Sequence, residues 1–66
     1  MQIVLNGAQH TLPSPCTVAE LIQQLGYAGK RVAVERNGEI VVRSQYDTTQ
    51  LAEGDQIEVV VAVGGG

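Results

Sequence analysis

The stretch CTVAELIQQLG, residues 16 to 26, carries the signals of one short amphipathic helix. Thr17 is the predicted N-cap, and Glu20 stands three residues later, the spacing of a capping box in which each side chain bonds the other residue's backbone N–H. Apolar residues recur at the helical spacing i, i+3, i+4 and i+7, at Val18, Leu21, Ile22 and Leu25. Gly26 is expected to end the helix. One narrow apolar stripe requires an apolar sheet to cover it, and we expect the stripe to pack on Ile3, Leu5, Ile57, Val59 and Val61.

Strands are predicted on both sides of this helix. Alternating segments bounded by turn residues indicate strands at 1–6, 8–12, 31–36, 39–42 and 56–63. The two pairs Asn6-Gly7 and Asn37-Gly38 favour tight hairpin turns, because both central residues of such turns need a positive φ. Residues 43–51 lack alternation and are predicted to form turns with one short helical turn, and 53–55 is a further turn.

The order β-β-α-β-β-β places one helix on one face of a mixed sheet, which is an α+β two-layer domain. The first and last strands are the most apolar, so we expect them at the centre, parallel to each other across the helical crossover. This is the β-grasp, or ubiquitin-like, arrangement. The predicted organisation is a single domain at 1–63 followed by a flexible tail at 64–66.

Composition restricts the function classes. The chain has 66 residues and a formal charge of −3, which disfavours nucleic acid as a partner because such binding depends on Lys and Arg. The chain has one cysteine and one histidine, too few for the Cys and His ligands of a structural zinc site, and a single cysteine cannot form an internal disulfide. No signal peptide and no apolar run of about 20 residues is visible, so we expect a cytoplasmic protein without membrane contact.

Catalysis by side chains is poorly supported. His10 is the only histidine and has no evident partner for general-base chemistry, so we interpret it as structural. Cys16 precedes the helix, where a thiol pKa can fall, but a hydrophobic staple with Leu21 explains it without reactivity. The acidic residues are scattered and are interpreted as a solvated surface. We therefore expect no enzyme, no metal and no bound cofactor.

The end of the sequence, VGGG, is the strongest functional signal. Gly64, Gly65 and Gly66 follow a strand directly, and glycine without a Cβ passes through a narrow cleft. Such a tail presents only the α-carboxylate of Gly66, which becomes reactive once it is activated as an acyl-adenylate. The alternative is a frayed terminus or a cloning remnant.

The chain resembles the ThiS family, the sulfur carriers of thiamine biosynthesis, in NGEIVVRSQY (37–46), LAEGDQIEVV (51–60) and VGGG (63–66). The resemblance implies that a ThiF-type enzyme adenylates Gly66 with ATP, which that enzyme consumes. It also implies that a sulfur-relay protein converts Gly66 to a thiocarboxylate and that a ThiG-type thiazole synthase uses the sulfur.

Other interpretations remain open: the small subunit of molybdopterin synthase, a ubiquitin-like modifier of lysines, or a β-grasp interaction module with an idle tail. For any carrier, a docking surface is expected beside the tail. Alternation places Val60 and Ala62 on the face opposite the helix, with Glu58 beside them and Val4 adjacent to them on the first strand. An ordinary exposed strand surface explains the same residues equally well.

Overall fold

Within residues 1–62, five strands, one α-helix and one 3₁₀ turn follow each other in the predicted order. The computed structural model describes residues 1–62; Val63 and the predicted tail at 64–66 lie outside the described residues. The elements are β1 (Gln2–Leu5), β2 (Ala8–Thr11), α1 (Val18–Gln24), β3 (Val32–Arg36), β4 (Glu39–Val41), the 3₁₀ turn (Arg43–Gln45) and β5 (Gln56–Val61).

The sheet has the order β2-β1-β5-β3-β4, so the first and last strands are adjacent near its centre, as predicted. β1 and β5 run parallel, with Leu5 opposite Ile57, and all other neighbouring strands pair antiparallel. The helical crossover through α1 leaves β3 running in the same direction as β2. β1 is antiparallel to β2 and β5 is antiparallel to β3, so β1 and β5 are parallel. The predicted β-grasp arrangement is confirmed.

The capping box predicted for α1 is present. The Thr17 Oγ1 accepts from the Glu20 backbone N–H at 3.2 Å, and the Thr17 backbone N–H donates to the Glu20 carboxylate at 2.8 Å. At the other end Gly26 has φ 78°, and the N–H groups of Gly26 and Tyr27 donate to carbonyls of the last turn. These two hydrogen bonds form a Schellman motif, which requires a left-handed backbone conformation that glycine adopts easily.

The core lies between α1 and the sheet. The predicted helix residues Val18, Leu21 and Ile22 are buried and Leu25 is half-buried, while β1 and β5 contribute Ile3, Ile57 and Val59. Leu5 and Val61 were also expected under the helix and are only half-buried; Val61 is the last residue of β5 and pairs with half-buried Val32 at the start of β3. Core residues that the sequence patterns did not single out are Leu12, Val34 and Val41.

The last strand is shorter than predicted. Its pattern extended to Val63, but β5 ends at Val61, and Ala62 is described outside any strand. The reason is the length of its neighbour: β3 begins at Val32, which pairs with Val61. One further bond, from the Ala62 N–H to the Arg31 carbonyl at 2.9 Å, holds the chain as it leaves the sheet.

One acidic residue contradicts the prediction of a uniformly solvated acidic surface. Asp55 is buried, and its carboxylate accepts from Arg36 Nε at 2.8 Å, from Asn37 Nδ2 at 3.1 Å and from the Ala52 N–H at 2.8 Å. Burial opposes ionisation, but these hydrogen bonds outweigh it and lower the pKa of Asp55. Asp55 therefore ties the turn before β5 to the β3–β4 hairpin.

Candidate functional site

The C-terminal end of β5 is the place from which the predicted tail departs. β1 pairs with β5 only as far as Leu5 opposite Ile57, so the rest of β5 extends beyond β1 and is held by β3. The side chain of Asn6 covers part of this free edge, because its Oδ1 accepts from the Val59 N–H at 2.9 Å and its Nδ2 donates to the Val59 carbonyl at 3.3 Å. The last described residues therefore leave from a fixed strand end.

The sheet face opposite α1, here called the open face, carries exposed apolar side chains beside this strand end. Val60 is 62% exposed, Ile40 is 66% exposed and Val42 is 49% exposed. Ala33 pairs with Val60, and Val42 is level with Ala33 because Val41 pairs with Val34. These side chains therefore form one apolar patch that crosses β5, β3 and the end of β4.

Two carboxylates border the patch. Glu35 on β3 lies opposite Ile40 on one side and opposite Glu58 on the other. Like charges directly opposite each other in a sheet are unfavourable, so a cation placed between Glu35 and Glu58 relieves their repulsion. The open face thus offers apolar area together with a negative site, a combination suited to a partner with basic residues around an apolar centre.

The predicted docking residues are only partly brought together. Val60, Ala62 and Glu58 are exposed on the last residues of the described chain. Val4 is half-buried and lies opposite Gln56, four residues before Val60 on β5, so it is roughly 13 Å along the strand from Val60. The expectation that Val4 adjoins Val60 is wrong, because the parallel register places β1 against the beginning of β5.

Ile40 and Val42 were not predicted, because the alternation in EIVV, residues 39–42, points the other way. It places Ile40 and Val42 on one face and Glu39 and Val41 on the other, so the more apolar pair suggests itself for the core. The structure buries Val41 instead and leaves Ile40 and Val42 on the open face. Gly64, Gly65 and Gly66, the predicted tail and the predicted point of covalent attachment, lie outside the described residues.

The two candidate reactive side chains occupy structural positions. Cys16 is buried in the core, and burial together with the nearby charge of Glu20 raises the pKa of its thiol, so the nucleophilic thiolate is disfavoured. His10 is half-buried on β2, opposite Ile3. Among residues 1–62, no cluster of His, Cys, Asp and Glu is arranged to hold a metal ion. In the same range no helix has the length and apolar character needed to cross a bilayer.

Comparison with known proteins gives a consistent result. The chain matches the ThiS family over residues 3–66. It is 40% identical over 50 residues to the sulfur carrier protein ThiS of Bacillus subtilis, covering 76% of each chain. It is 47% identical over its whole length to the thiazole synthase of Magnetococcus marinus. The chain spans about a fifth of the length of the thiazole synthase relatives that it matches.

The fold agrees with this result. The crystal structure of the thiamine biosynthesis protein ThiS from Geobacter metallireducens matches with a TM-score of 0.85 and 35% sequence identity, over the full length of both chains. The family match reaches from β1 to the final glycines, and the structural match covers the same sheet and helix. The chain therefore belongs to the ThiS family.

Proposed function

We propose that the protein is a sulfur carrier of thiamine biosynthesis and that Gly66 carries the sulfur as a C-terminal thiocarboxylate. The observation that carries this proposal is the extent of the family match, which runs through residue 66 and so includes all three terminal glycines. The protein itself is not an enzyme. It is the substrate on which a partner enzyme acts.

The chemistry begins with the carboxylate of Gly66, which attacks the α-phosphorus of ATP in the adenylating enzyme and releases pyrophosphate. The persulfide of a sulfur-relay protein then attacks the acyl carbon, and AMP leaves. A thiol cleaves the sulfur–sulfur bond of the resulting acyl disulfide, is itself oxidised to a disulfide, and leaves the thiocarboxylate on Gly66. Thiazole synthase takes the sulfur from there.

This chain supplies two things to that sequence of reactions. The first is reach: a chain of four residues, the number from Val63 to Gly66, can span at most roughly 13 Å, enough to enter a cleft in a partner. The second is docking through the open face, where Val60, Ile40 and Val42 lie beside the strand end and Glu35 and Glu58 supply negative charge. The domain is held while its terminal carboxylate enters the active site.

Mass spectrometry of the protein from its native host tests the proposal. Conversion of the terminal carboxylate to a thiocarboxylate adds about 16 Da, the same nominal increment as one oxidation of Met1 or Cys16. The increment must therefore map to the C-terminal peptide, and the intact mass must show that Gly66 ends the mature chain. An unmodified C-terminal peptide from cells that are making thiamine contradicts the proposal.

Tail variants test the geometry. Deleting Gly66 or adding one residue moves the carboxylate by about 3.3 Å, and an error of about 1 Å at a reacting atom can cost on the order of 100-fold in rate. Gly65→Ala keeps the length but adds a methyl group in the channel. All three variants should fold like wild type and release almost no pyrophosphate with the purified adenylating enzyme. Release at the wild-type rate by all three shows that the tail is idle.

A further inference from the structure

A groove on the helix side of the molecule contains most of the positive charge and both aromatic residues of the chain. It has a volume of about 320 Å³ and lies between the loop that follows α1, residues 27–31, and the 3₁₀ turn with the residues after it, 43–47. Tyr27 and Tyr46, the only tyrosines in a chain without Phe or Trp, both line it. A groove of this volume accommodates one or two side chains of a partner.

The base of the groove is apolar and fixed. Ile22 is buried, and the half-buried rings of Tyr27 and Tyr46 pack against the core. The Tyr46 hydroxyl donates to the Val32 carbonyl at 3.4 Å, and the Lys30 N–H closes a turn on the Tyr27 carbonyl at 2.9 Å. Aromatic rings held in this way offer contact area at a low entropic cost.

The rim of the groove is positive in an acidic protein. Lys30, Arg31 and Arg43 are exposed there, three of the four basic residues in a chain of net charge −3. The fourth, Arg36, is bonded to Asp55 and lies elsewhere. Asp47 is the acidic residue on the rim, so positive charge predominates around the groove. An anionic occupant is therefore favoured over a neutral or basic one.

The groove opens beside the strand end from which the tail leaves. Arg31 lines the groove, and its carbonyl accepts the hydrogen bond from the Ala62 N–H. Val32, which also lines the groove, pairs with Val61 at the end of β5. A protein that takes up the tail is thus within reach of the groove on one side of the sheet and of the open face on the other.

We propose that this groove binds an acidic segment of thiazole synthase that carries one aromatic or aliphatic anchor side chain. The anchor lies between Tyr27 and Tyr46, and the carboxylates pair with Lys30, Arg31 and Arg43. This inference rests on the proposed function. Thiazole synthase is favoured as the partner because the two thiazole synthases that resemble this chain contain a segment matching its whole length. In those proteins a carrier-like segment and a thiazole synthase therefore occur in one polypeptide.

The test compares two double variants that change the net charge equally. Lys30→Gln with Arg43→Gln removes two positive charges from the rim. Ser14→Asp with Gln50→Glu adds two negative charges at exposed positions near the start of α1 that do not line the groove. Affinity for the thiazole synthase of the same host is measured by calorimetric titration, and folding by circular dichroism. The rim variant should bind about tenfold more weakly, which corresponds to about 1.4 kcal/mol, and the control should bind like wild type.

Salt and NMR sharpen the result. Screening is nearly complete at about 1 M salt, so the difference between wild type and the rim variant should shrink there. In labelled wild-type protein, the amide signals of 27–31 and 43–47 should change when the synthase is added. Equal affinity of the rim variant and wild type, equal weakening in the control, or a difference that salt leaves unchanged overturns the inference. So does a wild-type protein that does not bind the synthase. The thiocarboxylate on Gly66 is measured separately by mass, so the proposed function is judged independently.

Discussion

Val59 and Val60 are consecutive valines of β5, yet Val59 is 6% exposed and Val60 is 62% exposed. Val59 faces α1 and belongs to the core, whereas Val60 lies on the open face with Ile40 and Val42. Folding accounts for the apolar side chain at position 59 but not for the one at position 60. The helix-covered face therefore carries the stability of the domain, and the open face is free to serve recognition.

The strongest test of this division truncates a core residue that lies between α1 and the sheet. Leu21 is fully buried, so Leu21→Ala removes core contacts and leaves a cavity, at a cost of about 2–5 kcal/mol. A core of this size supplies only about 3–5 kcal/mol of net stability, so the variant should be largely unfolded. Urea denaturation followed by circular dichroism measures the loss.

Gln24→Ala is the matched control, because Gln24 is exposed on the same helix and alanine is the better helix former. It should leave the free energy of unfolding within about 0.5 kcal/mol of wild type. If Leu21→Ala and Gln24→Ala have similar unfolding midpoints, α1 does not carry the stability of the domain.

Local signals explain why most of the fold was predictable. Thr17 and Glu20, which form the capping box with each other, are only three residues apart. Asn6-Gly7 and Asn37-Gly38 adopt the positive φ values that the hairpin turns require. Alternation in β5 assigned Ile57 and Val59 to the core without knowledge of the partner strands. These features depend on a few neighbouring residues, so a single sequence contains them.

The errors arose where distant residues meet. Asp55 resembled the other surface carboxylates because its partners Arg36 and Asn37 stand 19 and 18 residues earlier. Val4 was placed beside Val60 because the parallel register of β1 and β5 is not encoded in either strand alone. The groove was not predicted, since its lysine, arginines and tyrosines come from two segments that only the fold brings together.

The Asp55 contacts give a pH-dependent test of a polar contribution on the covered side. Asp55→Asn removes the charge from the pair with Arg36 and should lower the free energy of unfolding by about 1–3 kcal/mol at neutral pH. Folding lowers the pKa of Asp55 from its ordinary value of 3.8, so its stabilisation is present above that value and is lost as pH falls through the lower, folded value.

Chemical denaturation is therefore carried out from pH 7 to pH 2. The free energies of unfolding of wild type and Asp55→Asn should differ most at neutral pH and converge in acid. The reason is that a protonated Asp55 and the asparagine of the variant no longer differ in charge. A constant gap across the whole range means that the asparagine amide is simply misplaced and that ionisation of Asp55 contributes nothing.

The smallest effect on stability is expected on the open face, where the effect on binding should be large. Val60 is exposed on a paired strand, so Val60→Asp should cost at most about 1 kcal/mol, the span of strand propensities. The new carboxylate replaces an apolar side chain within the apolar patch, whereas Glu35 and Glu58 lie at its border. It should therefore weaken docking to the adenylating enzyme by removing apolar contact at the centre of the proposed interface.

Ser14→Asp makes the same change in net charge at an exposed position in the loop before α1 and should bind normally. Titration of each protein with the adenylating enzyme, beside its unfolding curve, separates the two properties. Unchanged affinity of Val60→Asp removes the open face from the interface, and a loss of several kcal/mol in its stability shows that Val60 belongs to the folding core after all.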